Sequence, residues 1–422
     1  MKGARGFFIS ACAVVLAAGG AVRADDSTLK DGDYVAVVGD SITEQKLYSV
    51  MIEDYLLMCQ PHKLTVSQFG WSGETSWGFA ARMQNDMLPF GTTVATTCYG
   101  MNDGGYSPED PAKEKRYHDA QTDVVQQMKK GGVRFIVVGS PGCVDSKTFR
   151  HDPAMAVMYN KVLATERDIA KQVAQEQGVT FADVYDPMYE VMEKIKAKYG
   201  KDYPLAGGDG VHPGPNGHLI MAYAFLKGLG CDGNIGTITV DLVNHTATGT
   251  DGHKILSDHD DVVEIESTRY PFCFFGDPKT PDATTGVIDF LPFNQDLNRF
   301  TLVVTGADAG KNYDVTWGSA TKRFSGDALA KGINLAAEFL DSPFKTAFMQ
   351  VQKVVQRQQN FETPLVKQLI HDLPAYESTL PEKKDLFEKL RSELVDKDKP
   401  LREEAAKSVE PVKHSIKVTE AP

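Results

Sequence analysis

A hydroxyl, an imidazole and a carboxylate at Ser41, His212 and Asp209 are the three groups that nucleophilic acyl transfer requires. Ser41 stands in Gly39-Asp40-Ser41-Ile42-Thr43, right after an apolar run. A serine there opens a helix, whose free N–H groups stabilise an anion; Ser41 or Thr43 would equally serve as a plain N-cap. His212 stands in Asp209-Gly210-Val211-His212-Pro213. Its ordinary pKa near neutrality suits a general base. Asp209, three residues earlier, can fold back onto the second ring nitrogen and fix the tautomer, or simply cap the next helix and leave His212 at the surface. Two further blocks offer donors for an oxyanion. Gly70-Trp71-Ser72-Gly73-Glu74-Thr75 presents the unobstructed Gly73 N–H. Gly100-Met101-Asn102-Asp103 presents the Asn102 side-chain amide. Taken singly, both are also ordinary turn sequences.

The elements around these blocks decide whether they meet. Short apolar runs at 34–38, 63–69, 93–99, 134–139 and 179–184 read as buried strands. Helical patterns lie between and after them at 44–59, 77–85, from Pro111, 153–177 and 213–229. This alternation predicts a parallel sheet covered on both faces, a flavodoxin-like three-layer α/β/α sandwich with strand order 2-1-3-4-5. In that order Ser41, Gly73 and Asn102 follow three neighbouring strands and converge where the strand order switches. The Ser41 N–H, the Gly73 N–H and the Asn102 amide would then face one oxyanion, and Asp209 and His212 would supply the base.

With four blocks in this order, the sequence resembles the SGNH hydrolases, the GDSL-type lipases and esterases. Gly39-Asp40-Ser41-Ile42 matches the GDSL block with Ile in place of Leu. Gly73, Asn102 and the Asp209/His212 pair match the later blocks, Arg82 fits the helix after the second, and the resemblance spans about residues 30–230. It implies a Ser–His–Asp ester hydrolase working through an acyl-enzyme, with Ser41, Asp209 and His212 catalytic. It further implies an oxyanion hole of Ser41, Gly73 and Asn102, and neither metal nor organic cofactor. Trp71 and Tyr106 are candidate substrate contacts, grouped in sequence with Trp77 and Tyr99, although aromatic residues here also suit a core. The segment 104–117 is a candidate lid. Ser140-Pro141-Gly142-Cys143 is a candidate pocket wall, with no His–Asp pair to make Cys143 a nucleophile. His118, His151 and His218 read as surface or helix positions.

Beyond about residue 236 the pattern changes to short strands separated by Gly, Asp, Asn and Pro. Residues 236–330 read as a separate antiparallel module without catalytic residues. Residues 331–422 read as charge-dense, solvated helices ending in an edge strand near Ile416. The start reads as a secretory signal, residues 1–24, with Lys2 and Arg5 before a short apolar run. Residues 25–235 are the hydrolase domain.

Composition narrows the function. Fifty-seven acidic against 45 basic residues give a net charge of −12, which disfavours nucleic acid. Six cysteines without a CxxC pair support neither a disulfide scaffold nor a structural zinc site. Cleavage after Ala24 removes Cys12 and leaves an odd number. No other apolar run approaches the roughly 20 residues of a spanning helix. The expected partner is therefore a small-molecule or polysaccharide ester, with no nucleic acid and no stable membrane insertion after signal cleavage. The leading expectation is an exported acetyl or short-chain esterase of carbohydrate esters. The alternatives are a lysophospholipase or general esterase and, in another class, a non-catalytic carbohydrate-binding or scaffold protein.

Overall fold

The apolar run Tyr34–Gly39 forms strand β1, buried at every position, in a computed structural model that describes residues 28–259 and 261–422. The signal-peptide expectation for residues 1–24 lies outside the described residues. Parallel strands β2 (Thr65–Gln68), β3 (Val94–Cys98), β4 (Phe135–Gly139) and β5 (Thr180–Ala182) complete a sheet of order β2-β1-β3-β4-β5, as the sequence predicts. Alternate residues of β1 feed two cores. Val35 and Val37 point to one, while Tyr34, Ala36 and Val38 point to the other. Helices Tyr48–Met58, Tyr185–Tyr199 and Pro215–Gly228 cover the first face, and Ser76–Asp86 and Pro111–Lys130 the second. Helix starts follow their capping signals. Asp110 accepts from the Ala112 N–H before Pro111, and Asp152 from the Ala154 N–H before Pro153.

After the helix ending at Gly228 come β6 (Asn234–Asp241), β7 (Thr246–Gly249), β8 (His253–His259), β9 (Val262–Ser267), β10 (Arg299–Thr305), β11 (Asn312–Trp317), β12 (Ala320–Ser325), β13 (Ile333–Asn334) and β14 (Val412–Glu420). They form two sheets, β13-β10-β6-β7 and β12-β11-β14-β9-β8. Three expectations need correction here. β6 and β10 pair in parallel, so the module is not wholly antiparallel. β14 lies between β11 and β9 at the centre of its sheet, not at an edge. The module also does not pack on its own: one apolar core runs from helix Tyr48–Met58 through Phe272, Phe293 and Phe300 to Ile416 and Val418.

The two accessory sheets meet face to face, with the Phe300 ring 5.7 Å from Trp317 and 5.9 Å from His414. Buried polar groups between them form a chain with a fixed direction. Trp317 Nε1–H donates to His414 Nδ1 at 3.2 Å. His414 Nε2 is then the donor to Ser267 Oγ (2.9 Å), the serine hydroxyl donates to His253 Nδ1 (2.8 Å), and His253 Nε2–H reaches the Ile235 carbonyl (2.9 Å). Burial pushes His414 down to about 3, consistent with the neutral rings this chain requires.

The C-terminal helix Lys345–Pro364 lies against β2, the edge strand of the parallel sheet, and against helix Tyr48–Met58. Its side chains satisfy the open strand edge. Gln358 Nε2 donates to the Val66 carbonyl at 2.8 Å, and Glu362 Oε2 accepts the Gln68 N–H at 2.9 Å. Gln359 bridges Ser49 and Glu53, each at 2.7 Å. By contrast, Lys384–Val395 buries no residue fully, in keeping with a solvated amphipathic helix.

Candidate active site

Strand β1 ends at Gly39, and Asp40 caps the short helix Ser41–Glu44 by accepting the Ile42 N–H at 2.9 Å. Ser41 therefore projects from the first turn at the carboxyl edge of the sheet, and it is Asp40, not Ser41, that acts as the cap. Ser41 Oγ lies 2.8 Å from His212 Nε2, and His212 Nδ1 lies 2.6 Å from Asp209 Oδ2. Asp209 Oδ1 accepts the N–H groups of Val211 and His212, both at 2.9 Å. One carboxylate oxygen is thus anchored to backbone and the other left for the imidazole. Burial raises the Asp209 carboxyl, but the His212 N–H and ring, with the Val211 N–H, outweigh it and hold the group below the usual carboxylate range. An ionised Asp209 orients His212 with its proton on Nδ1, leaving the Nε2 lone pair for the serine hydroxyl.

The candidate oxyanion donors lie just after strands β1, β2 and β3. The N–H groups of Ser41 and Gly73 find no acceptor among the described residues. Gly73 has φ +75, a left-handed conformation that favours glycine. Asn102 Nδ2 donates to the Glu74 carbonyl at 3.0 Å, lies 3.4 Å from Asp40 Oδ2, and its Oδ1 accepts from Tyr106 Oη at 3.2 Å. These bonds fix the amide plane. Burial pushes Asp40 up to about 7, helped by the Asp103 and Glu74 charges and opposed by the Ile42 N–H. For Asn102→Ala we expect kcat to fall about 100-fold with KM little changed, because the amide meets charge that develops only in the transition state. Steady-state kinetics on an aryl acetate checks this, and a pure rise in KM would assign Asn102 to ground-state binding.

Tyr106, at φ +54, stacks on Tyr159 at 4.9 Å, and the Arg150 guanidinium lies 5.1 Å from its ring. Trp71 is half-buried, with Arg82, Lys367 and His371 within 4.9, 4.7 and 4.6 Å of its ring. Tyr99 is core, donating to Glu74 Oε2 at 2.7 Å, and Trp77 stacks under Arg116 at 3.6 Å. The candidate lid is shorter than expected. A helix starts at Pro111, and Tyr117 is buried with its hydroxyl on the Tyr99 carbonyl, leaving only 104–110 as loop. Ser140 holds the N–H groups of Val184 and Tyr185, and burial pushes the Cys143 thiol up. His218 is fully buried beneath the site. It accepts the Tyr48 N–H at 3.2 Å and contacts Gln45 Oε1 at 3.0 Å, and burial lowers it to about 3. The five described cysteines are free thiols.

Sequence reading did not find the ion network behind Gly73. Arg82 makes a two-point pair with Glu74 at 2.6 and 2.7 Å and donates to the Phe69 carbonyl at 2.7 Å. Nor did it find Lys367 and His371. They lie about three hundred residues beyond Glu44 and Asp86, the groups they touch.

The buried titrating groups set a pH dependence of stability. Burial raises Asp40, Asp103 and Glu362, to about 7, 6 and 7, and also raises Glu53, Asp54 and Glu166. The folded protein keeps these protons where the unfolded chain has released them, so stability falls as pH rises through 6–7. His218 and His414, neutral when folded, oppose this only below the ordinary histidine pKa of about 6.5. The melting temperature is expected to be higher at pH 6.5 than at pH 8; a calorimetric scan showing the reverse would contradict this balance.

Residues 37–220 match the GDSL-like lipase/acylhydrolase family. This segment is an SGNH hydrolase domain. It is accordingly a carboxylic ester hydrolase. The acetylxylan esterase of Geobacillus stearothermophilus is 28% identical to this esterase over 169 residues, 38% of this chain and 70% of that protein. A solved structure of a gut microbial diltiazem-metabolizing enzyme superposes on 93% of this chain and 98% of its own, with a TM-score of 0.69 and 20% identity. The fold shared with that enzyme therefore extends through the accessory sheets and C-terminal helices. A solved catalytic mutant of the acetylxylan esterase covers 48% of this chain and 96% of its own, with a TM-score of 0.40 and 22% identity.

Proposed function

We propose that this esterase removes short acyl groups, acetyl foremost, from carbohydrate esters through a Ser41-bound acyl-enzyme. The observation that carries the reading is the contact series from Ser41 Oγ through His212 to Asp209, at 2.8 and 2.6 Å. Ser41 Oγ attacks the ester carbonyl while His212 Nε2 takes its proton. The carbonyl oxygen becomes an oxyanion held by the Ser41 and Gly73 N–H groups and the Asn102 amide. On collapse the C–O bond to the alcohol breaks, and His212 returns its proton to the leaving oxygen. Water, deprotonated by His212, then attacks the acyl-serine, releasing the acid and restoring Ser41. Asp209 stays ionised throughout and balances the imidazolium.

The carbohydrate class draws support from the acetylxylan esterase relative, and Trp71 and Tyr106 flank the donors as candidate substrate contacts. The apolar start with Lys2 and Arg5 supports a reaction outside the cytoplasm. The test is a panel of acetylated oligosaccharides, lysophospholipids and 4-nitrophenyl esters of rising chain length. Turnover highest on acetylated sugars and short esters is expected. Preference for lysophospholipids would favour the lysophospholipase alternative, and indifference to the alcohol a general esterase.

A further inference from the structure

After helix Lys345–Pro364 the chain reaches the site a second time. Pro364 cannot donate a backbone hydrogen bond, and the helix widens into a π-turn over Leu365–Ile370, closed by the His371 N–H on the Val366 carbonyl at 2.9 Å. Such widened turns re-aim side chains and recur at functional sites. Here the turn directs Lys367 at the nucleophile helix. Its ammonium contacts both oxygens of Glu44, at 2.9 and 3.1 Å, with both side chains mostly buried. Glu44 in turn accepts the Ser72 N–H, in the residue before Gly73. Burial opposes ionisation of Glu44, but Ser72 and Lys367 outweigh it and hold the carboxyl low. Lys46 Nζ adds a bond to the Glu44 carbonyl at 2.7 Å. Backbone packing is tight here as well: a Cβ at Gly70 would come within 2.3 Å of the Glu44 nitrogen.

The same segment reaches the loop by a second route. His371 Nδ1 lies 2.7 Å from Asp86 Oδ2, which lies 3.5 Å from Arg82 Nη1. Arg82 clamps the Glu74 carboxylate, and the Glu74 carbonyl holds the Asn102 amide. Asn85 Nδ2 also donates to the Ile370 carbonyl at 2.9 Å. Two of the three oxyanion donors, Gly73 and Asn102, are thus tied through adjoining residues to a turn far along the chain.

We propose that Lys367 is a positioning residue for catalysis: by holding Glu44 it fixes the Ser72–Gly73 backbone so that the Gly73 N–H meets the oxyanion. This rests on the reading of Gly73 as an oxyanion donor. Preorganisation of such donors acts on the transition state and not on ground-state affinity. Lys367 therefore affects kcat, and it acts through Glu44, so the two residues behave as one unit. The experiment uses the full chain with 4-nitrophenyl acetate and four variants: Lys367→Met, Lys367→Arg, Glu44→Gln, and Lys367→Met with Glu44→Gln. Circular dichroism and thermal unfolding establish that each is folded. Either single loss of charge is expected to lower kcat about tenfold with KM within about twofold, and the double variant to be no slower than the singles. Lys367→Arg should recover most of the loss. Should Lys367→Met fail to fold, the isosteric Glu44→Gln carries the test. Unchanged kcat in the charge-loss variants, or losses that multiply in the double variant, would overturn the proposal. A rise in kcat for Glu44→Gln would also overturn it, showing that the Lys367 charge acts directly on the oxyanion. Ser41→Ala run alongside separates the two readings. Wild-type turnover in that variant overturns the Ser41 nucleophile reading, whereas turnover it nearly abolishes but Lys367→Met leaves intact overturns only the positioning role.

Discussion

Ser41→Ala is expected to lower kcat on 4-nitrophenyl acetate by about ten-thousand-fold or more, with the fold and ground-state binding kept. The substitution removes one oxygen atom, the one 2.8 Å from His212 Nε2. His212 and Asp209 keep their mutual contact, since Asp209 is anchored by two backbone N–H groups independent of the serine. What remains is the oxyanion site, which can still assist direct attack by water, so a small residual rate is part of the expectation. Mass spectrometry offers a second readout. A slow-turnover acyl or phosphonyl reagent should add to wild type at Ser41 and leave Ser41→Ala unmodified. Wild-type turnover in the variant, or label on another residue, would move the nucleophile elsewhere.

The contact series from Ser41 through His212 to Asp209 is legible because each of its members sits within a few residues of a strand or helix end. Ser41 and His212 are 171 positions apart, yet each sits in a short block whose geometry is local. The parallel sheet then brings them together by a topology that the alternating pattern already implies. Lys367 gives no such signal. It lies in a turn whose role depends on helix Lys345–Pro364 docking on the edge of β2, and nothing local in the sequence marks that contact. The position of β14 was illegible for a different reason. Alternation of buried His414, Ile416 and Val418 with lysine and serine marks one buried face and says nothing of how many neighbours share the strand's hydrogen bonds. Likewise His218 reads as one polar residue on a helix. Only tertiary packing reveals it as a neutral group buried between Tyr48 and Gln45.

A protein ending at Gly236 is expected to lose both its cooperative fold and its activity on every ester, small acetates included. The catalytic blocks would all be present, so the loss would come from packing. Tyr55 donates to the Leu297 carbonyl at 2.8 Å, and its ring lies 6.5 Å from Phe293; both partners would vanish. Tyr223, on helix Pro215–Gly228, would lose Phe293 and Asp296. β2 would become a bare edge, with the Val66 carbonyl and the Gln68 N–H deprived of Gln358 and Glu362. Part of this cost is offset, because Glu53 and Asp54 would regain water after being buried. The offset is too small. Each large apolar side chain newly exposed costs about 1.5–3 kcal/mol, and a domain is stable by only about 5–15 kcal/mol. A handful of side chains on helix Tyr48–Met58 and its neighbours is therefore enough to exhaust it. Removing residues 345–371 would also take away Lys367 and His371, so a fragment that stayed folded should still be slow on small acetates. Size-exclusion chromatography, near-ultraviolet circular dichroism and 4-nitrophenyl acetate turnover separate the outcomes. A monomeric, cooperatively unfolding fragment with wild-type turnover would show that the hydrolase domain stands alone and that the continuous core adds nothing catalysis needs.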